Sequence, residues 1–243
     1  MDRELLQAEL NDFYTATLLD AKALFDDNHL QKLSAPLLIS ISDAYLSAPI
    51  RIMFVGKETN GWWGSLGAYY AAENALSLVL KRYQQQMGES TWPGRFFPML
   101  SRTARELTGA RADAVAWTNL MRTDWEQGKG FSRNSKKFSD ELTLMSQKML
   151  RFEVSLLEPD VVIFACGASY DSVIKATFPH RTNSEPIVKR ALWKFNIGKI
   201  LCFRAQHPQA MRRKSSALKP VGDYYAEIFA QVKANFPQVY RNL

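Results

Sequence analysis

Apolar side chains gather into four short runs set far apart along the chain: Ile50–Val55, Ala114–Trp117, Val161–Cys166 and Ile200–Phe203. Each is rich in β-branched or aromatic residues and is followed by polar or glycine residues, as expected of parallel strands buried on both faces. Between them the apolar positions recur at helical spacing. Leu5, Leu6, Leu10, Phe13, Leu18, Leu19, Ala23 and Phe25 predict an N-terminal helix or a broken pair of helices over 3–28. A short helix is expected within 36–47, and longer ones near 70–87, 97–109, 138–157 and 169–177. Alternating strand and helix predicts an α/β fold, a three-layer α/β/α sandwich with a central four-stranded parallel sheet. Ligands of such sheets bind outside the carboxyl ends of the strands, which is where chemistry should be sought.

Composition narrows the class. A chain of 243 residues with 47% apolar content can bury a sizeable core, and one domain spanning 1–243 is expected. No apolar run is long enough to cross a bilayer, and the start Met1-Asp-Arg-Glu-Leu-Leu lacks the pattern of a signal peptide, so a cytoplasmic monomer is expected. Cys166 and Cys202 both sit in apolar runs and read as reduced core residues. His180 has no partner motif, and neither a metal site nor a cofactor is expected. The net charge of +7 is unevenly spread. Residues 1–28 hold seven acids and two bases, whereas 172–222 hold eleven bases against the single acid Glu185. That asymmetry suggests a polyanion partner on one face, although a solvated basic surface is the plainer reading.

The strand ends carry the candidate chemistry. The first run is followed by Gly56-Lys57-Glu58-Thr59-Asn60-Gly61-Trp62-Trp63-Gly64, the second by Thr118-Asn119-Leu120-Met121-Arg122, and the fourth by Gln206-His207-Pro208-Gln209-Ala210-Met211-Arg212-Arg213-Lys214. Three ends therefore offer a carboxylate, an amide and an imidazole, and these are expected to meet in one crevice.

In order, spacing and strand-end placement these segments resemble the uracil-DNA glycosylase superfamily over residues 48–225. Pro159-Asp160-Val161-Val162-Ile163-Phe164-Ala165-Cys166-Gly167-Ala168 resembles its third-strand region. Residues 1–45 would be a helical N-terminal extension outside the resemblance. The resemblance implies that Glu58 positions the attacking water, Asn119 reads the base and His207 supports the leaving base. Asn60 stands where uracil-removing members place a Tyr that blocks bulky 5-substituents. Met211 falls where the superfamily places an apolar wedge. The chain departs from the pattern where Thr59 replaces Pro, Asn60 replaces Tyr and Gln209 replaces the Ser after His-Pro. Gly61-Trp62-Trp63-Gly64 resembles the single-strand-selective branch, and bacterial relatives remove hypermodified pyrimidines from phage DNA.

The chemistry is coherent without the resemblance. A base must leave the stack before its glycosidic bond is reachable. Cleavage passes through an oxocarbenium-like sugar, which a carboxylate such as Glu58 can stabilise while activating water. A neutral imidazole N–H aimed at the departing base supplies preorganised stabilisation. Asn119 has one donor and one acceptor side, suited to a pyrimidine edge of either polarity. Trp62, Trp63 and Tyr70 offer stacking faces. Arg212, Arg213 and Lys214 are candidate phosphate contacts. Alternatives stay open: Glu58 as a helix N-cap neighbour or exposed surface residue, Asn119 as a cap, His207 as a loop residue, the two tryptophans as core. The favoured expectation is a DNA glycosylase acting on an enlarged 5-modified pyrimidine, such as glucosylated hydroxymethylcytosine, in antiviral defence. Competing with it are uracil or hydroxymethyluracil base excision, a catalytically silent nucleic-acid-binding protein, and a hydrolase of free nucleosides.

Overall fold

The computed structural model describes residues 2–89, 91, 93–126, 139–210 and 219–241. In chain order the elements are α1 (Arg3–Lys22), α2 (Asp27–Lys32), α3 (Asp43–Leu46), β1 (Ile52–Gly56), α4 (Leu66–Ala71), α5 (Ala75–Gly88), α6 (Phe96–Thr108), β2 (Val115–Asn119), α7 (Ser139–Leu157), β3 (Val161–Phe164), α8 (Asp171–Thr177), β4 (Thr182–Val188), β5 (Leu192–Ile197), β6 (Ile200–Ala205), α9 (Val221–Asn235) and α10 (Pro237–Tyr240). They form two compact units, one of residues 1–41, 57–87 and 118–157, the other of residues 42–56, 88–117 and 158–243. None of the helices described is long and apolar enough to cross a membrane.

The fold is mixed α/β, and its sheet has six strands in the order β2-β1-β3-β6-β5-β4, not four. All four expected strands are present and adjacent. β1 runs parallel to β3 in the register Ile52↔Val161 to Val55↔Phe164, and β3 parallel to β6 from Val161↔Leu201 to Phe164↔Arg204. β1, β2 and β3 are buried along their whole length, which explains their continuous apolar sequences. The extra strands extend the sheet beyond β6, β5 running antiparallel to β6 and β4 antiparallel to β5. β4 left no apolar signal because it is the edge strand and is exposed over most of its length. Its pairing is interrupted by register shifts around Glu185, and Pro186 interrupts its donor row, both devices that blunt an edge.

Within this second unit, Phe54 of β1 packs against Phe96 of α6 (ring centroids 5.4 Å apart) and Tyr225 of α9 (6.2 Å). Arg204 of β6 is 3% exposed and grips Asp171 at the start of α8 through two bonds of 2.7 and 3.0 Å. One of the eleven bases of the cationic stretch is thus neutralised internally.

In the first unit the 3–28 region is a broken pair, α1 and α2. Asp2 and Asp26 cap the two helices, each side chain accepting from backbone N–H groups of the first turn. α1 lies along α7, with Phe13 and Phe152 stacked at 3.7 Å. The expected helix over 36–47 shrinks to α3. Residues 34–41 are instead irregular and buried. Their backbone groups find partners far away: Ala35 N–H donates to the Gly64 carbonyl (2.9 Å) and Leu37 N–H to that of Arg122 (2.8 Å). Tertiary bonding satisfies what a helix would have satisfied locally, and Pro36 disfavours helical backbone at the residue before it.

Candidate active site

The segment after β1 belongs to the first unit and is fastened at alternate residues. The Lys57 carbonyl accepts from Met121 N–H at 2.8 Å. The Thr59 hydroxyl donates to Asp124 Oδ1, which also accepts from Gly61 N–H at 3.1 Å. Thr59 and Asp124 are buried, Glu58 is half-buried and Asn60 is exposed. Beyond Asn60 the chain turns sharply, with positive φ at Gly61 (74°), Trp63 (45°) and Gly64 (87°). Two of these positions carry glycine, where a left-handed backbone costs nothing; Trp63 does not, and it is strained. Trp62 is core, 6% exposed, with the Arg82 guanidinium 5.8 Å from its ring centroid. Trp63 is half-exposed. Tyr70 donates its hydroxyl to the Leu18 carbonyl of α1 at 2.7 Å and lies under Lys22, so it ties α4 to α1. Burial raises its hydroxyl above the usual range.

Asn119 ends β2 and is 2% exposed. Its amide nitrogen has no hydrogen-bond partner among the described residues. The loop that follows is anchored by a buried ion pair. Arg122 donates from both terminal nitrogens to the two oxygens of Glu153, each at 2.7 Å. Glu153 Oε1 also accepts from Tyr14 at 2.6 Å, and Oε2 from Thr118 at 3.1 Å. Desolvation first, and then the Glu153 charge, hold the Tyr14 hydroxyl well above its ordinary value. The carboxylate therefore fixes α1, β2 and α7 of this unit at one point.

His207 belongs to the second unit, two residues beyond β6. Its Nδ1 accepts from Gln209 N–H at 3.2 Å, so the neutral ring carries its proton on Nε2. The ring stacks on Phe96, with centroids 5.6 Å apart and planes inclined by 23°. The Tyr225 hydroxyl donates to the preceding Gln206 carbonyl at 3.0 Å. The turn is thus held from α6 and α9. Beside it a cavity of about 470 Å³ is lined by Arg95, Met99, Arg102, Pro208 and the first residues of α9. Among the described residues neither arginine is paired with a carboxylate; Arg102 lies 5.4 Å from the Phe229 ring centroid. Met211, Arg212, Arg213 and Lys214 lie outside the described residues.

The first unit thus gathers Glu58, Asn60, Trp62, Trp63, Tyr70 and Asn119, and the second holds His207. Asp124, Glu153, Ser34 and Phe96 were not picked out from sequence. Asp124 follows the end of β2 by five residues, so the strand-end rule applied a little further would have reached it. Nothing in the sequence marks Ser34. No group of three or more His, Cys, Asp or Glu among the described residues is placed to hold a metal ion. No protein-family model matches the chain, and no curated protein matches it either.

Proposed function

We propose that this chain is a monofunctional DNA glycosylase that hydrolyses the N-glycosidic bond of a pyrimidine flipped out of DNA. The observation that carries the reading is Asn119. A buried amide at a strand end, with its nitrogen unpartnered among the described residues, is a costly arrangement unless a ligand completes it. A pyrimidine edge, with donor and acceptor side by side, is the complementary group. In this reading the C1′–N1 bond breaks and its electron pair leaves with the base. The Glu58 carboxylate stabilises the sugar cation and takes a proton from the water that attacks C1′. The resemblance gives His207 the role of donor to the leaving base, and within the second unit the Gln209 contact keeps its ring in the tautomer that carries the proton on Nε2. Arg95 and Arg102 supply phosphate contacts on the second unit.

The favoured substrate is a pyrimidine enlarged at the 5-position, because Asn60 is short and exposed at the position where, by the resemblance, uracil-removing members carry a Tyr that blocks bulky 5-substituents. The test is incubation with single- and double-stranded oligonucleotides bearing uracil, hydroxymethyluracil, hydroxymethylcytosine or glucosylated hydroxymethylcytosine, followed by alkali to cut abasic sites. Cleavage is expected with wild type and not with Glu58→Gln. Absence of abasic sites on all four substrates refutes the proposal, and cleavage of uracil alone refutes the enlarged pocket.

A further inference from the structure

Asp124 is a buried carboxylate with no part in the chemistry above. It is 1% exposed, and its Oδ2 has no hydrogen-bond partner among the described residues. Its other oxygen takes both the Thr59 hydroxyl and Gly61 N–H. Its own N–H donates to Ser34 Oγ at 3.0 Å. Ser34 Oγ in turn lies 3.0 Å from Thr59 Oγ1. Because the Thr59 proton points to the carboxylate, only the serine could donate in the Ser34–Thr59 contact, and the single Ser34 proton has the Ala35 carbonyl, 3.1 Å away, as its other acceptor. A carboxyl group is expensive to bury unless it is hydrogen-bonded, so the residues that supply its bonds are held to their geometry. The two positions it holds, 59 and 61, bracket Asn60 and adjoin Glu58. From the other side, Met121 N–H holds the Lys57 carbonyl.

We infer that Asp124 is a positioning residue that locks the segment bearing Glu58 and Asn60. This rests on the glycosylase reading for its effect on turnover, whereas the locking itself does not. The test has two arms. In the first, backbone amide exchange at Gly61 is compared between wild type and Asp124→Asn; exchange at least tenfold faster in the variant is expected. In the second, single-turnover base release and oligonucleotide Kd are measured for Asp124→Asn, Thr59→Val and Thr59→Ser. Release by the first two should fall by about 10- to 100-fold, the effect of slight misplacement of a reacting group. Kd should stay within twofold, and Thr59→Ser, which keeps the hydroxyl, should retain the wild-type rate. Should Asp124→Asn fail to fold, the Thr59 pair carries the second arm alone. Unchanged Gly61 exchange in a folded variant, or wild-type release by Thr59→Val, overturns the inference. A wild-type protein that releases no base from any oligonucleotide removes the glycosylase reading, and the exchange arm alone then decides whether Asp124 locks the segment.

Discussion

Replacing Glu153 by Gln strands the Arg122 guanidinium where water cannot reach it. Both side chains are fully buried, and the arginine donates to each carboxylate oxygen. The substitution nearly conserves volume, so no cavity confuses the result. What it removes is the countercharge, and in its place an amide NH₂ faces an Arg122 donor together with the hydroxyl of Tyr14 or of Thr118. Breaking a buried pair from one side costs about 3–5 kcal/mol. For a chain of this length 1 kcal/mol moves the melting temperature by about 2–4 °C, so the expected loss is about 6–20 °C. The assay is thermal melting followed by far-UV circular dichroism at pH 7. The double variant Arg122→Met/Glu153→Leu is the control that tests the cause. It removes both charges together and should melt above Glu153→Gln, although Tyr14 and Thr118 each lose an acceptor. A Glu153→Gln melt within 2 °C of wild type, or a double variant less stable than the single, would refute the argument from an uncompensated charge.

Asn119→Leu should lower kcat/KM by about 10- to 100-fold, the worth of one or two buried hydrogen bonds, while melting temperature holds or rises because an unpartnered donor has left the core; parallel kinetics and melting check both. Arg95→Ala/Arg102→Ala should weaken binding to every oligonucleotide alike and reduce the slope of log K against log salt by about 0.9 for each phosphate that is no longer neutralised. Stability should fall in alkali. Desolvation raises the folded-state values of Tyr14, Tyr45 and Tyr225 above 10.0 and that of Cys202 above 9.0. Below those ordinary values both states are protonated and the groups contribute fully. As pH rises past them the unfolded chain loses protons first, at about 1.36 kcal/mol per pH unit per group. Denaturant midpoints measured from pH 7 to 11 should decline from about pH 9 upward, and a flat profile would contradict the burial of these groups.

The four strands β1, β2, β3 and β6 and the helices α1, α5, α6 and α7 were legible because their apolar periods are strong, whereas β5 and the helix α9 were not anticipated. Glu58, Asn119 and His207 were singled out by one rule, that chemistry is to be sought where parallel strands end. Periodicity could not see β4, whose exposed residues have no apolar face, nor the irregular run 34–41, whose buried positions leave no polar alternation to read. Residues 33–37 show the reason most plainly. The Leu33 carbonyl accepts from Leu66, Ala35 donates to Gly64, Ser34 N–H donates to the Asp124 carbonyl and Leu37 donates to that of Arg122. Every one of these partners lies at least 29 residues away, and a local window of residue types contains none of them. Residues 1–45 fall outside the resemblance, yet in the first unit part of that stretch lies between the segments that follow β1 and β2.

That placement bears on how the unit keeps a strained turn. Positive φ at Trp63 costs about 1–3 kcal/mol, and such a conformation persists only where its surroundings over-determine it. Here they do so through bonds to residues some 60 positions on and 30 positions back. Gly61 N–H is held by Asp124, and the Gly64 carbonyl by Ala35 N–H. Just beyond, Leu66 N–H is held by the Leu33 carbonyl. Each bond is worth only about 1 kcal/mol net, but the three together are of the same size as the strain. The consequence is a segment whose shape is set before any ligand arrives. Groups aimed in advance at a developing charge need no reorganisation when it forms, which is the condition under which a carboxylate contributes most to a transition state. The strain at Trp63, the buried carboxyl group of Asp124 and the irregular run 34–41 thus belong to one arrangement. Each lowers stability taken alone, and each is tolerated because the other two complete its hydrogen bonds or fix its backbone.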